Sequence, residues 1–264
     1  MKNRKFVTGI VITAIVVILS IIGTFFTPYD PNAMDASAKL APMSAAHLLG
    51  CDNFGRDIFS RIMSGMGTTL IVAIGTVLIG VMGGTVVGAF TGYYGGVIDE
   101  VLMRFNDAVL AFPSILLALV FISILGSGKY NVIIALGIVF VPSYARIVRS
   151  EFLRCKNMDY VKSAKLIGVS DLRIIFVHIL PNAYKVILSS VAIGFNNAVL
   201  AEAGMSFLGI GVQPPDSSLG RMLSEAQTYL FIKPSYAIIS GSMIVLMIFG
   251  FSMLNEGMEE WSDA

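Results

Sequence analysis

Long uncharged, mostly apolar stretches alternate with shorter polar segments along the whole chain. The longest lies between Arg61 and Asp99 and contains 37 residues. Because about 20 apolar residues suffice for a helix to cross a bilayer, each such stretch predicts a membrane-spanning helix. The six stretches are residues 6–26, 62–98, 108–128, 130–145 (extendable back through 126–128), 186–201 (apolar onward to 211) and 234–255. They predict an all-α, polytopic membrane protein with six transmembrane helices, the second stretch forming one helix plus flanking turns.

The composition supports this class and excludes several others. Hydrophobic residues make up 56% of the 264 residues, charged residues make up 13%, and the mean hydropathy is +0.81. Disordered chains have the opposite balance. Two cysteines are too few for a disulfide-stapled secreted fold, and a net charge of +1 does not suit a nucleic-acid binder. We therefore expect membrane lipid, and no nucleic acid, around the chain.

The distribution of Lys and Arg predicts the orientation in the membrane. An even number of spans places both termini on one side, and basic residues concentrate in cytoplasmic segments. With the N-terminus inside, the cytoplasmic segments hold 12 of the 18 Lys and Arg residues. Both termini are therefore expected to be cytoplasmic.

The first apolar stretch has two interpretations. Its basic start and the triplet Ala36-Ser37-Ala38 resemble a signal peptide with its cleavage site. However, the stretch is longer than the apolar part of a signal peptide, about 7–15 residues, and the triplet lies well beyond its end. We expect an uncleaved helix within an N-terminal region, residues 1–66, that precedes a five-helix core, residues 67–264.

The longest and most basic cytoplasmic segment, residues 149–182, is predicted to form two short helices separated by a break. Asp159 is expected to cap the first helix, and Gly168 to end it, as glycine commonly does. Ser170 is expected to cap the second, and Pro181 marks the return to the bilayer. This segment, the 149–182 loop, is either a docking element for a partner or a solvated basic loop.

The 149–182 loop resembles the loop signature of ABC importer permeases. In that family the pattern is Glu-Ala-Ala, three residues, Gly, and after a spacer Leu-Pro. Residues 160–168 read YVKSAKLIG and residues 174–182 read IIFVHILPN. Ala164, Gly168, Leu180 and Pro181 match at the family spacing, whereas Lys162 and Ser163 replace the usual Glu and Ala.

Four other segments resemble one branch of that family, the dipeptide, oligopeptide and nickel permeases. They are residues 47–57 (HLLGCDNFGRD, with Cys51 where Thr is commoner), 92–96 (GYYGG), 112–114 (FPS) and 201–215 (AEAGMSFLGIGVQPP). The matches cover most of the chain from about residue 27, and together they are specific although each alone is weak. The resemblance implies a type I ABC importer permease fold, in the plasma (inner) membrane of a bacterium.

The resemblance also implies partners and a division of labour. The family works as two homologous permeases, two cytoplasmic ATPase subunits and an extracytoplasmic substrate-binding protein. The loop would seat in an ATPase subunit through residues Tyr160, Lys162, Ser163, Ala164, Gly168, Ser170, Leu180 and Pro181. The implied function is an ATP-driven path for short peptides or nickel, free or chelated, with ATP and Mg used by the partner and no cofactor or metal bound by this chain.

The sequence carries no chemistry of its own that would make the chain an enzyme. A P-loop requires Gly, four residues, then Gly-Lys-Ser/Thr; Gly128-Lys129 is followed by Tyr130, and position 123 is Ser. The competing function is a self-sufficient secondary transporter or channel. That class places ionisable or unwound segments at mid-membrane, and the predicted spans lack charge there.

Two features within the spans are candidate functional positions. Gly80, Gly84 and Gly88 recur every four residues and form a smooth helix face for close helix approach. That face serves either an interface between permeases or a gate, or packing within the subunit. Glu202 is predicted at the outer end of the fifth span, where an acidic residue is a candidate for the translocation path.

The remaining candidate residues are a histidine and two cysteines. His47 and Cys51, separated by three residues, would supply two ligands of a soft-metal site, but two ligands do not make a site. We expect an ordinary loop His and loop thiol. Cys51 is predicted outside and Cys155 inside, so the topology excludes a disulfide between them.

Overall fold

The computed structural model describes residues 2–262, with side chains described for residues 6–258. Within these residues the chain is helical and forms no strand, which confirms the predicted all-α class. The α-helices are α1 (Lys2–Phe25), α2 (Ile58–Tyr94), α3 (Gly96–Leu110), α4 (Ser114–Leu125), α5 (Lys129–Lys156), α6 (Asp159–Leu166), α7 (Asp171–Arg173), α8 (Tyr184–Phe207), α9 (Leu219–Gln227) and α10 (Pro234–Ser262). A π-helical turn (Ile174–Ile179) and two 3-10 turns (Ala36–Ala38 and Leu180–Asn182) complete the regular structure of the described residues.

Five described helices, α1, α2, α5, α8 and α10, are long and apolar enough to cross a membrane. A sixth span arises if α3 and α4, which are bent by 93°, count as one. The third apolar stretch is therefore not the single straight helix that its length suggested. The break falls at Pro113, which has no N–H to continue a helix ladder and disfavours the helical conformation of the preceding residue.

The second stretch also differs from expectation. Its residues 62–94 lie in one continuous helix, α2, which begins earlier than expected, at Ile58, and contains 37 residues. The helix ends before Gly95, whose φ of +68° separates it from α3. At 1.5 Å per residue the helix is roughly 55 Å long, which exceeds a hydrocarbon core of about 30 Å. Within the hydrocarbon core glycine does not interrupt α2, because backbone groups there have no water to bond and must stay paired within the helix.

The described chain divides into two compact units. Unit 1 comprises the residues up to Ile74, Phe121–Ile133 and the residues from Phe195 onward; unit 2 comprises Gly75–Val120 and Ile134–Gly194. In unit 1, α1 and α10 pack closely along small residues. A Cβ on Gly9 would lie 2.6 Å from the backbone N of Leu254, and one on Gly250 would lie 3.2 Å from the backbone N of Thr13.

In unit 2, the recurring glycines of α2 face α5. A Cβ on Gly80 would lie 3.0 Å from Phe140 Cβ, one on Gly84 would lie 2.8 Å from the backbone N of Ala145, and one on Gly88 would lie 2.9 Å from the backbone N of Arg149. The same face continues through Gly92, which also lies inside α2. The glycine row is thus occupied by a helix of the same chain.

The close approach of α2 and α5 predicts that Gly84→Ala destabilises the chain. The added methyl group would meet the backbone of α5, and overpacking of this kind costs about 1–3 kcal/mol. The measurement is the apparent Tm of the purified chain in detergent. The control is Gly241→Ala in α10, where the new Cβ lies 3.9 Å from Leu223 Cδ1, an ordinary contact. Equal Tm values for the two variants would contradict the packing assigned to this face.

Candidate functional site

The 149–182 loop begins with the last turns of α5 and continues into α6. The expected N-cap is wrong by one residue: Met158 has the extended backbone of a cap, and Asp159 is the first helical residue. There the Asp159 carboxylate lies 3.2 Å from Lys162 Nζ, and its charge suits the positive end of the helix dipole. Lys162, which replaces the family's Glu, is therefore paired with an acid within its own helix.

Gly168 ends α6 through two backbone hydrogen bonds. The N–H of Gly168 donates to the carbonyl of Lys165, and the N–H of Val169 donates to that of Ala164, each at 3.0 Å. This pair of bonds is the Schellman motif, which needs a residue in the left-handed region at the first position after the cap. Gly168 has a φ of +81°, so glycine is the residue that takes this turn without strain.

The second half of the loop is shorter and less regular than expected. Ser170 has the extended backbone of an N-cap but makes no side-chain capping bond, and α7 covers only three residues. The chain then continues through the π-helical turn Ile174–Ile179 and the 3-10 turn that contains Pro181 before α8 begins. Pro181 sits at the start of that last turn, where its missing N–H costs nothing.

One side of the loop is buried against the ends of α2 and α5. Ala89 and Tyr93 of α2, Val148 and Phe152 of α5, and the loop residues Val161, Ala164, Ile174, Ile175 and Ile179 form one apolar cluster. Fully burying a side chain of this size is worth roughly 1.5–3 kcal/mol. The loop is thus anchored to the helices by its own apolar residues.

The other side of the loop carries exposed apolar residues. Leu166 is 88% exposed, Ile167 is 80% exposed, and Leu172 on the far side of the Gly168 turn is 55% exposed. We call these three residues the loop tip. Large apolar side chains this exposed outside a span are typical of a surface that another protein covers.

The predicted site residues of the loop divide between the two sides. Ala164 is buried and Leu180 is half-buried, whereas the others are exposed: Tyr160, Lys162, Ser163, Gly168, Ser170 and Pro181. Although Tyr160 is at the surface, desolvation of its hydroxyl, followed by its hydrogen bond with Cys155, raises the pKa of Tyr160 to about 12.

Polar contacts that sequence reasoning missed also fix the loop. Tyr93 Oη donates to Asp171 Oδ1 at 2.5 Å. Arg149 donates from Nε and Nη2 to both carboxylate oxygens of Asp99, at 2.5 and 2.7 Å. The partners are separated by 78 and 50 residues, so no local pattern in the sequence could have indicated either contact.

A buried charge cluster, also missed, joins the segment between α1 and α2 to the first turn of α2 and to α9. Arg56 Nε and Arg61 Nη1 donate to Asp52 Oδ2, at 2.7 and 2.5 Å. Arg56 Nη2 and Arg61 Nη1 also donate to Glu225 Oε2 of α9, at 2.8 and 3.0 Å. We call these four residues the Asp52 cluster. The two carboxylates thus compensate the two guanidinium groups where little water reaches them. Glu225 also pairs with Arg221, whose Nε lies 3.4 Å from Glu225 Oε1.

The backbone around Asp52 is shaped to hold that carboxylate. Its Oδ1 accepts from the N–H groups of Phe54 and Arg56, at 2.8 and 3.0 Å. Gly55, with a φ of +77°, makes the tight turn between them. The resemblance to a permease branch singled out this Gly-Arg-Asp segment, but its role in holding α9 became visible only in three dimensions.

His47 and Cys51 belong to the same segment but make different contacts. His47 Nδ1 lies 3.0 Å from Asp57 Oδ1, and Asp57 Oδ2 accepts from the hydroxyl of Ser60. Cys51 is fully buried, which raises the pKa of its thiol. Among the described residues, no group of three or more His, Cys, Asp or Glu side chains is placed to hold a metal ion.

Glu202 lies fully buried within unit 1, inside α8. Its carboxylate accepts from the hydroxyl of Thr69 in α2 at 2.9 Å and from that of Ser206 at 2.7 Å. Ser206 Oγ in turn accepts from the N–H of Val212 at 3.0 Å. In this conformation Glu202 therefore joins α8 to α2 and to the turn after α8.

The chain matches two protein-family models. Residues 84–259 match the model described as binding-protein-dependent transport system inner membrane component, and residues 1–42 match the N-terminal TM domain of oligopeptide transport permease C. The chain is 36% identical to the dipeptide transport system permease protein DppC of Haemophilus influenzae, over 99% of this chain and 91% of that protein. It is 38% identical to the glutathione transport system permease protein GsiD of Pectobacterium atrosepticum, over 90% and 80%.

Solved structures of ABC transporters share the fold. An inward-facing MetNI methionine ABC transporter structure superposes with a TM-score of 0.61 at 17% identity, covering 74% of this chain and 93% of that one. An amino acid ABC transporter crystallised with histidines superposes with a TM-score of 0.59 at 21% identity, covering 76% and 93%.

The Asp52 cluster predicts a large stability loss in Asp52→Asn. This variant keeps the shape of the side chain but leaves Arg56 and Arg61 with Glu225 alone. Breaking a buried ion pair in this way costs roughly 3–5 kcal/mol. The measurement is the apparent Tm in detergent, with Arg104→Ala as control, because Arg104 is exposed and its pair with Glu100 contributes little. An Asp52→Asn variant as stable as the control would contradict the role assigned to the cluster.

Proposed function

The chain belongs to the family of binding-protein-dependent transport system inner membrane components, and we propose that it forms the translocation path for short peptides in an ABC importer. The family match and the relatives show that the chain is a multi-pass inner-membrane permease subunit of an ABC importer. This confirms the family that the sequence resemblance indicated. The proposal adds the cargo, the partners and the way in which the loop couples to them.

The names of the relatives favour short peptides as the cargo. The two relatives described above are named for dipeptide and glutathione transport, and glutathione is itself a small peptide. Nickel, the other cargo that the branch resemblance implied, has no comparable support in those names. The proposal therefore commits to short peptides, with nickel as the alternative outcome of the uptake experiment below.

The proposed partners are a second homologous permease, two cytoplasmic ATPase subunits and an extracytoplasmic substrate-binding protein. The observation that carries the ATPase contact is the loop tip: Leu166, Ile167 and Leu172 are exposed on a support that is itself buried. Basic side chains flank the tip at Lys162, Lys165 and Arg173, and these favour an acidic rim on the partner's groove.

In this proposal ATP and Mg are bound by the partner, and this chain contributes movement. A helical projection that is anchored to α2 and α5 transmits a displacement of the ATPase to those helices as a rigid body. The chain's own residues then line and reshape the path, while the partner supplies the free energy. The sequence itself lacks a P-loop, which agrees with this division.

Two measurements test the proposal together. The tagged chain is purified from its native host, and an ATPase subunit is sought among the proteins that accompany it. Uptake of a labelled dipeptide and of labelled nickel is compared in cells with and without the gene. We expect an ATPase subunit to accompany the chain, and cells without the gene to lose dipeptide uptake but keep nickel uptake. Loss of nickel uptake alone would overturn the assignment of short peptides as the cargo. Absence of any ATPase would overturn the proposed coupling.

The rigid-loop mechanism predicts that Leu166→Pro, or deletion of Gly168, abolishes uptake while the chain still inserts. Proline disrupts the last turn of α6, and loss of Gly168 removes the Schellman turn, so the loop no longer moves as one body. Leu166→Met, which keeps the helix and an apolar tip, is expected to retain most of the uptake. The measurement is peptide uptake normalised to the chain present in the membrane fraction. Normal uptake in Leu166→Pro would contradict the mechanism.

A further inference from the structure

Tyr93 connects the end of α2 to the 149–182 loop at several points. It is the second-last residue of α2 and is only 2% exposed. Its hydroxyl donates to Asp171, the first residue of α7, at 2.5 Å. The Nζ of Lys165, in the last turn of α6, lies 4.8 Å from the centroid of the Tyr93 ring, and that of Lys156, at the end of α5, lies 5.9 Å away.

These contacts reach both sides of the turn at Gly168. Lys165 precedes the turn and Asp171 follows it, so one aromatic side chain holds the two halves of the helix–turn–helix together. The cation–π contacts fix the ring against α6 and α5. The hydroxyl bond fixes the direction of α7 relative to α2.

The bond from Tyr93 to Asp171 differs in kind from the apolar cluster beneath it. Apolar contacts are non-directional, so the cluster holds the loop against α2 and α5 without itself fixing the orientation of α7. A hydrogen bond from a hydroxyl to a carboxylate is short, directional and about twice as strong as a neutral one. A displacement of α7 therefore either moves the end of α2 or breaks this bond.

We propose that Tyr93 is a positioning residue that transmits the movement of the 149–182 loop to α2 through its hydroxyl bond to Asp171. The proposal rests on the proposed function, since it requires an ATPase that moves the loop. It adds a specific connection: the apolar cluster holds the loop in place, and the Tyr93–Asp171 hydrogen bond makes α2 follow the loop.

The test compares Tyr93→Phe with Tyr94→Phe in the assembled transporter in lipid vesicles. Each variant removes one oxygen atom from neighbouring tyrosines, and Tyr94 is 42% exposed. ATP hydrolysis and labelled dipeptide uptake are measured on the same vesicles. Loss of a hydrogen bond to a charged group changes an equilibrium roughly tenfold or more, so we expect uptake per ATP hydrolysed to fall about tenfold in Tyr93→Phe. Tyr94→Phe is expected to match the wild type.

The ratio of uptake to hydrolysis separates transmission from simple loss of structure. A purely structural defect lowers both activities together with the amount of assembled complex, and leaves their ratio unchanged. An unchanged ratio in Tyr93→Phe would overturn the proposal. If that variant does not assemble, Asp171→Asn is the substitute, because it removes the charge from the other end of the same bond and is expected to lower the ratio similarly.

A double-mutant cycle provides the second criterion. If the two side chains act through their shared bond, Tyr93→Phe combined with Asp171→Asn lowers the ratio no further than either single change. If the effects of the two changes on the ratio add in the double variant, the proposed role of the Tyr93–Asp171 bond is overturned. Failure of the wild-type chain to assemble with an ATPase would instead overturn the proposed function, so the two failures are distinguishable.

Discussion

The close approach of α2 and α5 in unit 2 is the constraint on which the 149–182 loop depends. Without side chains at Gly80, Gly84 and Gly88, the backbones come near enough for α5 to lie along the glycine face of α2. In a bilayer, where lipid is as apolar as leucine, such tight packing and polar contacts between helices supply the association energy. The same approach brings Tyr93, Val148 and Phe152 together as the platform that supports the loop.

Two different kinds of interaction hold the chain at sites far apart in sequence. Apolar burial anchors the 149–182 loop, and its directionality comes from a few polar bonds such as the one between Arg149 and Asp99. The Asp52 cluster relies on charge compensation, with each arginine shared between Asp52 and Glu225. Close-packed apolar contacts transmit displacement, whereas buried ion pairs are strongly destabilised when one partner is lost.

The loop combines a rigid support with an exposed apolar tip, and the proposed mechanism needs both. A flexible loop would absorb the displacement of a partner. A rigid loop with a polar tip would offer the partner little apolar surface to bind. The Schellman turn at Gly168 joins the two requirements, because it ends α6 sharply and leaves Leu166 and Ile167 pointing outward. Lys162 lies beside the tip and pairs with Asp159 on the same helix. The replacement of the family's Glu by Lys162 is thus accommodated locally.

The sequence by itself determined the helical class, the positions of most spans and the turn at Gly168. Apolar stretches and glycine conformation are local properties, so they can be read along the chain. It misjudged α2 as a shorter helix. Pro113 marked a position for a kink in the third span but not the 93° bend between α3 and α4, because the angle of a bend depends on what the neighbouring segments pack against. Only the tertiary structure decided that the glycine row faces α5, that Glu202 bonds to Thr69, and that Arg56 meets Glu225 across 169 residues. These partners are chosen by proximity in three dimensions, which no spacing along the chain encodes.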